Sequence, residues 1–256
     1  MPEQSVEDSA RASFTARADH YVTSDTHADP SRLARIVEMA EPKPSWRALD
    51  IGTGTGHTAF AFAPAVAWVT GVDITDAMLK QAERVRKDQG YGNVELRLGD
   101  AHQLPFADGS FDLVTCRRTA HHFRDIAVAL REMRRVLKTG GRLVIDDRSS
   151  PEDDEVDDIL HRLDSLHDHS HVRQYRVSEW TRMLSGTGFA VVAVETYEQD
   201  RPLSAFTKDV AEPDIAEIRK IVSGLTDHQS AVLNAHDMDG ELHTRHFYLT
   251  VVADRA

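Results

Sequence analysis

The segment Leu49–Ala59, with the sequence LDIGTGTGHTA, decides the fold class of this chain. A short apolar run precedes three glycines, and a helical pattern follows them: Gly52, Gly54 and Gly56. A glycine loop between a strand and a helix presents backbone N–H groups to the charged or polar part of a nucleotide-like cofactor. The small residues Thr53 and Thr55 keep this backbone open to close approach. The segment therefore predicts a cofactor-binding loop, although a plain tight turn between strand and helix remains an alternative.

Strand and helix patterns alternate around this loop. Five apolar strand patterns follow one another between residues 45 and 147, separated by short links and helices: RALDIG, AWVTGVDI, VELRLGD, FDLVTCR and RLVIDD. Such alternation predicts an α/β fold, in which a parallel sheet is covered by helices on both faces. Two more strand patterns follow, and we expect them to add a hairpin at one edge of the sheet: FAVVAVETYEQ and HTRHFYLTVVADR.

Composition narrows the function classes. The 256 residues suit one α/β domain with insertions, and the formal net charge of −12 argues against a partner with a phosphate backbone. No stretch approaches the roughly 20 apolar residues that span a bilayer, so we expect no membrane insertion. The polar, acidic start of the chain does not resemble a secretory signal, and a single cysteine leaves no internal disulfide. We therefore expect a cytoplasmic protein without a nucleic-acid partner.

Two carboxylates follow successive strands at the edge where the glycine loop lies. Asp73 closes the second strand, in VTGVDIT, and Asp100 closes the third, in LRLGDA. Ligands of open α/β sheets bind at the carboxyl ends of the strands, so Asp73 is placed to accept hydroxyls of a ribose and Asp100 to meet an adenine. A dinucleotide fingerprint would have a third glycine where this chain has His57. The pattern therefore favours an adenosine-containing cofactor other than a dinucleotide.

Four motifs carry a resemblance to a known family: LDIGTGTGHTA, VTGVDITDAML, GDAHQLPFADGSFDLVTCRRTAHHF and LREMRRVLKTGGRLVI. They resemble the successive motifs of class I S-adenosylmethionine-dependent methyltransferases, in the branch similar to the ubiquinone/menaquinone biosynthesis methyltransferases. The resemblance covers residues 45–147 closely. It implies a Rossmann-like sheet of seven mostly parallel strands with an antiparallel last strand, helices on both faces and a helical lid or insertion.

The resemblance also implies roles for individual residues. The methionine part of S-adenosylmethionine would be lined by four loop residues: Gly52, Thr53, Gly54 and Gly56. Asp73 would bind the ribose, and the adenine would contact the residues Ile74, Met78, Asp100 and Ala101. Arg117, just past the fourth strand, would lie beside the cofactor, and S-adenosylhomocysteine would be the product. Met78 is equally explained as an ordinary core methionine.

The chain outside the core divides into further expected segments. We expect a flexible tail over residues 1–12, an N-terminal helical lid over 13–42 and the methyltransferase domain over 43–256. Within the domain, residues 151–177 and 203–235 are expected to be insertions on the acceptor side. In the relatives implied by the resemblance, the N-terminal helices close over the cofactor, so three lid residues are expected to line its pocket: Tyr21, Ser24 and His27.

The histidines suggest catalytic residues. His121 and His122 lie just beyond the fourth strand, where a histidine could take a proton from an acceptor hydroxyl. The alternative is that one of them caps the next helix while the other packs. The segment DHSHVRQYRVSEW resembles a motif of this branch, which implies that Ser170, His171 and Arg173 face the active site. His171 and Arg173 are therefore expected to be catalytic, with Arg173 holding an anionic or carbonyl group of the acceptor. The histidines of 161–171 do not converge as zinc ligands do, and we expect no metal.

These observations predict an enzyme that moves a methyl group from S-adenosylmethionine to the oxygen, carbon or nitrogen of a small molecule. Such a reaction needs positioning of the nucleophile and exclusion of water more than it needs a catalytic dyad. Two alternatives stay open at this point: a non-catalytic protein that binds S-adenosylmethionine on the same fold, and a dinucleotide-dependent oxidoreductase. A homodimer is an open alternative to a monomer.

Overall fold

The computed structural model describes residues 6–22 and 27–256. Its strands are β1 (Arg47–Ile51), β2 (Trp68–Asp73), β3 (Val94–Leu98), β4 (Phe111–Arg117), β5 (Leu137–Ser150), β6 (Tyr175–Arg176), β7 (Phe189–Pro202), β8 (His236–Met238) and β9 (Glu241–Arg255). Its helices are α1 (Val6–Val22), α2 (Pro30–Ala40), α3 (His57–Phe62), α4 (Asp76–Gln89), α5 (Ile126–Val136), α6 (Asp154–His167), α7 (Val177–Gly186), α8 (Leu203–Phe206), α9 (Glu212–Ser223) and α10 (Asp227–Val232).

The main sheet has the strand order β3-β2-β1-β4-β5-β9-β7. The strands β1 to β5 pair in parallel, whereas β9 is antiparallel to both of its neighbours, β5 and β7. Two short strands lie outside this order: β6 pairs with β5, and β8 pairs with β9. This arrangement confirms the predicted α/β fold, with seven main strands of which the last is antiparallel.

The strand order places the site. β1 lies between β2 and β4. From β1 the chain adds β2 and β3 on one side, and it then crosses to the other side of β1 to add β4 and β5. A crevice forms at the carboxyl ends of the strands where the order reverses in this way. The glycine loop follows β1 directly and therefore lies at this crevice.

Side chains on the two faces of the sheet are buried against different helices. Leu49, on one face of β1, belongs to the apolar cluster that includes Leu130 of α5. Ala48, on the other face, belongs to a cluster with Ile36 of α2 and Phe62 of α3. Successive residues of a strand point to opposite faces, so a strand covered on both sides reads as a continuous apolar run. This is why the core strands were recognisable in the sequence.

The segments expected to form the lid and the insertions are largely helical. α1 begins at Val6, within the segment 1–12 expected to be a tail, and it packs along α4. The insertions contribute α6 and α8 to α10, and three of these helices, α6, α8 and α9, share a small apolar core. That core consists of Leu163, Leu203, Phe206, Ile218 and Val222. In the described part of the chain, no helix is both long enough and apolar enough to cross a membrane.

Candidate active site

A cavity of about 680 Å³ opens at the crevice where the parallel strands end. Its wall includes the last residue of β1, Ile51, the last of β2, Asp73, and the last of β4, Arg117. Small-molecule sites in proteins have volumes of about 300–1,000 Å³. The predicted cofactor residues that line it are Tyr21, Gly52, Thr53, Gly54, Asp73, Ile74, Met78, Asp100, Ala101 and Arg117. The structure thus brings ten of the eleven predicted cofactor residues to one cavity.

The glycines of the loop differ in what they do. Gly52 has a φ of +65°, and a side chain there would overlap the side chain of Thr119. Gly54 also has a positive φ, +53°, but nothing lies within 4 Å of where its Cβ would be. Gly56, which was predicted to line the cofactor, does not line the cavity: it caps α3, and a side chain there would overlap the ring of Phe60. Gly54 therefore leaves open the space that a ligand would fill, whereas Gly52 and Gly56 allow the tight turn.

Asp73 joins the loop to the end of β2. Its Oδ2 accepts a hydrogen bond from the backbone N–H of Gly54 at 2.8 Å, and its Oδ1 accepts one from Thr75 at 2.8 Å. Burial raises the pKa of this carboxyl above its ordinary value, although the same N–H groups act to lower it. Each carboxylate oxygen has a second lone pair, so Asp73 can still accept hydroxyl groups from the cavity.

A second wall of the cavity follows β2 and β3. Met78 is buried on α4 and also lines the cavity. It can therefore be a core residue and also contact an adenine. Asp100 Oδ1 accepts hydrogen bonds from the backbone N–H of His102 at 2.8 Å and from its Nδ1 at 2.7 Å. His102 thereby orients the carboxylate. Apolar surface beside an oriented carboxylate suits an aromatic ring that carries an amino group.

The lid contacts the glycine loop directly. His57 Nε2 donates a hydrogen bond to the backbone oxygen of Tyr21 at 2.9 Å, and Thr55 Oγ1 lies 3.4 Å from the same oxygen. The Tyr21 ring packs edge-on against His27, with ring centroids 4.8 Å apart, and burial raises the pKa of Tyr21 to about 12. His57, which replaces the third glycine of a dinucleotide motif, thus holds the lid helix. Ser24, also expected here, lies outside the described residues.

Arg117 connects the lid to the centre of the sheet. Its Nη1 donates a hydrogen bond to the backbone oxygen of His27 at 3.0 Å, and its Nε lies 3.4 Å from Oδ1 of Asp146. Asp146 is buried and also pairs with Arg32 of α2 at 3.0 Å. The position beside the cavity agrees with the prediction for Arg117, and its contacts show that it also fixes the lid.

His121 and Asp147 form a hydrogen-bonded pair at the cavity wall. The imidazole Nδ1 lies 2.6 Å from Asp147 Oδ1, and the backbone N–H of His121 donates to Oδ2 at 3.1 Å. Burial acts to raise the pKa of Asp147, but His121 and the backbone N–H of Arg148 outweigh it, so the pKa falls below its ordinary value. A carboxylate accepts only, so Nδ1 carries a proton, and Nε2 is the proton acceptor of the ring in its neutral form.

Two other histidines surround this pair. The ring centroid of His122 lies 4.0 Å from that of His121, and its Nδ1 donates to the backbone oxygen of Ser170 at 3.0 Å. Burial, with the neighbouring His121, lowers the pKa of His122 to about 4. His171 lines the cavity with its ring centroid 5.8 Å from that of His121, and burial lowers its pKa far below the ordinary value. Both side chains are therefore neutral at pH 7.

Arg173 is not where it was expected. Although its backbone N–H contacts the backbone oxygen of His121, its guanidinium points to Asp157 at 2.8 Å and Glu179 at 3.3 Å. It does not line the cavity. Two carboxylates attract the guanidinium away from the site, so the role in acceptor binding predicted for Arg173 is not supported. Among the described side chains, no three histidine, cysteine or carboxylate groups are arranged to hold a metal ion.

Asp147, which holds His121, and several residues that line the cavity were missed in the sequence. Asp147 had a readable signal, because it ends the strand pattern RLVIDD, whose carboxyl end meets the same edge as Asp73. The others were not singled out in the sequence: Arg118 and Arg148 directly follow the strand patterns FDLVTCR and RLVIDD, Asp164 lies on α6, and the rest lie in β7, in β9 or after α8. These residues are Arg118, Arg148, Asp164, Arg201, Lys208 and Tyr248.

Comparison with known proteins agrees with the geometry. A family model described as a methyltransferase domain matches residues 49–145. The uncharacterised methyltransferase YcgJ of Bacillus subtilis is 40% identical over 184 residues, which are 72% of this chain and 73% of YcgJ. Its crystal structure superposes with a TM-score of 0.83 and 32% identity, covering 87% of this chain and 97% of YcgJ.

A demethylmenaquinone methyltransferase of Bacillus velezensis is 37% identical over 121 residues, which are 46% of this chain and 52% of that protein. The relationship to YcgJ extends over most of both chains, in sequence and in structure. It favours a methyltransferase over the oxidoreductase and over the non-catalytic protein that the sequence left open. The chain therefore belongs to the class I S-adenosylmethionine-dependent methyltransferases.

Proposed function

We propose that this protein transfers a methyl group to an oxygen or an acidic carbon of a small molecule, and that His121 removes the proton of the acceptor. The observation that carries the proposal is the continuity of one cavity. Its wall runs from the glycine loop and Asp73 to His121, which is held by Asp147. A proton acceptor in the same enclosed space as a methyl donor serves acceptors that must lose a proton.

The residues at one end of the cavity fit S-adenosylmethionine. Asp73 would accept the ribose hydroxyls, Asp100 and Ala101 would meet the adenine edge, and Gly54 leaves room for the methionine part. When bound, S-adenosylmethionine supplies an electrophilic methyl group on its sulfonium sulfur. The family supports this assignment, since its members use this methyl donor.

The chain itself contributes position and proton transfer. Asp147 holds the ring of His121 in one orientation and one tautomer, which leaves Nε2 to accept the acceptor's proton. His122 and His171 are neutral and add no competing positive charge near this ring. An amine acceptor would need no such base, so the pair favours phenolic or enolic acceptors. The name of the demethylmenaquinone methyltransferase relative supports a small-molecule acceptor.

The lid excludes water. Tyr21 and Phe14 of α1 line the cavity. His57, which follows the glycine loop, forms a hydrogen bond with the backbone oxygen of Tyr21. Methyl transfer in a closed cavity protects a reactive donor from hydrolysis and strengthens the interactions of the groups inside.

The proposal is tested by calorimetry with S-adenosylhomocysteine, followed by labelled methyl transfer from S-adenosylmethionine to a panel of phenols, enols and amines. We expect S-adenosylhomocysteine to bind, and labelled product with phenols or enols. Absence of binding contradicts the proposal, and transfer to amines alone contradicts the role of His121.

A further inference from the structure

The cavity continues past His121 into a second part, which we call the distal compartment. It is built by the end of β5, the helix α6, the end of β7, the middle of β9 and the segment after α8. Its lining includes Arg148, Asp164, Arg201, Lys208 and Tyr248. The insertions therefore form the end of the cavity that lies away from the glycine loop.

Two arginines near this compartment already have partners. Arg148 forms an ion pair with the buried Asp164, at 2.6 Å. Arg118 stacks on the ring of Tyr248, with its guanidinium carbon 3.8 Å from the centroid, and donates to the hydroxyl of Tyr197 at 3.1 Å. The contacts of these two cations stabilise the wall of the cavity.

Arg201 and Lys208 differ from them. Both line the cavity, and within residues 6–22 and 27–256 neither side chain has a hydrogen-bond or ion-pair partner. Arg201 is partly buried, whereas Lys208 is exposed. Asp209 also lines the cavity. The chain has 12 more carboxylates than lysines and arginines, and most of its cations could therefore find a carboxylate partner. These two cations have no such partner.

The electrostatics of Tyr248 point the same way. Burial acts to raise the pKa of this phenol, but Arg118, Arg148 and Arg201 outweigh it, so the pKa is lowered. A buried phenol with a lowered pKa reports a positive potential at its position. Carboxylates line the same cavity as well, at Asp164, Asp168 and Asp209. A partly buried cation such as Arg201 attracts an anion more strongly than an exposed one.

We infer that the methyl acceptor is an organic anion, whose carboxylate or phosphate group is bound by Arg201 and Lys208 in the distal compartment while its nucleophilic atom faces His121. This inference rests on the proposed methyl transfer. The planar guanidinium of Arg201 matches the two oxygens of a carboxylate or phosphate, and the ammonium of Lys208 adds a second donor. These two cations would orient such an acceptor within the cavity.

The test uses three phenols of similar shape: 4-hydroxybenzoate, 4-hydroxyphenyl phosphate and neutral 4-hydroxybenzamide. Their binding to the full chain saturated with S-adenosylhomocysteine is measured by calorimetry. We expect at least one anion to bind about 10- to 100-fold more tightly than the amide. The stronger anion identifies the group, carboxylate or phosphate, that the compartment accepts.

Variants connect this preference to the two cations. Arg201→Gln and Lys208→Gln are each expected to reduce the preference for the anion about tenfold, whereas Lys220→Gln should leave it unchanged. Lys220 is an exposed lysine of α9, in the same insertion, that pairs with Glu217 outside the cavity. Affinity for S-adenosylhomocysteine should be the same in all of these variants.

Three results would overturn the inference: equal affinity for the anions and the amide, a preference that survives both substitutions, or no binding of any anion up to about 10 mM. Failure of S-adenosylhomocysteine itself to bind would instead contradict the proposed function. The two failures are therefore distinguishable.

Discussion

The Nδ1 atom of His121 lies 2.6 Å from Oδ1 of the buried Asp147, and this contact connects two separate parts of the chain at the edge of the sheet. His121 belongs to the turn after β4, and Asp147 lies in β5. Because β4 and β5 are parallel neighbours, their carboxyl ends deliver the two groups side by side. The geometry is that of a general base with its orienting carboxylate.

Substitution of His121 by Asn should therefore lower kcat about 10²- to 10⁴-fold for an acceptor that must lose a proton. Asp147→Asn should lower it about 10²-fold, because the ring loses the carboxylate that sets its tautomer. Steady-state assays with an acceptor found in the panel measure both effects.

His169→Asn is the matched control, since His169 is 71% exposed and pairs with Asp214 away from the cavity. Imidazole ¹⁵N shifts should show the Nδ1–H tautomer of His121 in the native protein and a change in Asp147→Asn. Equal activity of His121→Asn and the control would exclude His121 as the base.

Gly54→Ala should weaken S-adenosylhomocysteine binding at least about tenfold, because its Cβ would occupy the space left for the ligand. Gly90→Ala provides the control. Gly90 has a similar positive φ, +75°, with nothing within 4 Å of its Cβ position, but it ends α4 outside the cavity.

Both variants should lose about 1 kcal/mol of unfolding free energy, the usual cost of a side chain in this backbone region. Urea denaturation and calorimetry separate the two effects. A loss of affinity in Gly90→Ala equal to that in Gly54→Ala would show that backbone strain, and not the filled space, is responsible.

Asp50 should make the stability of the protein depend on pH. Burial raises the pKa of this carboxyl, which accepts from Thr115 Oγ1 at 2.7 Å, to about 6. An acid whose pKa is higher in the folded than in the unfolded state destabilises the fold once pH rises through that range. Asp50→Asn should therefore be more stable than the native protein at pH 8, by up to about 3 kcal/mol, and the difference should vanish near pH 4.

Urea denaturation between pH 4 and 8 measures this effect. Asp88→Asn, at an exposed position on α4, should show no such pH-dependent gain. If Asp50→Asn gave the same difference at both pH values, the raised pKa would not be its cause.

Arg32 and Arg35 test how the lid is anchored. Arg32 pairs with the buried Asp146, whereas Arg35, one turn along the same helix, is 43% exposed and pairs with Glu38 and Glu195. Arg32→Ala should cost about 3 kcal/mol of unfolding free energy, because Asp146 loses a buried partner. Arg35→Ala should cost less than about 1 kcal/mol, as surface ion pairs do. Equal losses of unfolding free energy in the two variants, measured by denaturant unfolding, would contradict the conclusion that the contact between Arg32 and Asp146 holds α2 in place.

The sequence predicted the half of the site that depends on local motifs. The glycine loop and Asp73 are set by one strand, one turn and the next strand, and the carboxyl ends of parallel strands must meet at one edge. Their placement could therefore be predicted without tertiary information. The same rule would have found Asp147.

The other half depends on packing that no local pattern encodes. Arg173 lies in a recognisable motif, but the motif does not say that Asp157 and Glu179 attract its guanidinium away from the cavity. Arg201 reaches the cavity only because β7 pairs with β9 in antiparallel register, and Lys208 lies in an irregular segment after α8. Gly56 is a glycine, as the motif requires, but it caps α3 and does not line the cavity.

The central claim is that one cavity holds the methyl donor at the glycine loop with its reactive end toward His121. A crystal structure with S-adenosylhomocysteine tests it most directly. The account predicts the ribose at Asp73 and the ligand sulfur within about 8 Å of His121 Nε2, enough for one methyl group and one acceptor atom between them. A sulfur on the far side of the loop from His121, or a ribose away from Asp73, would contradict it.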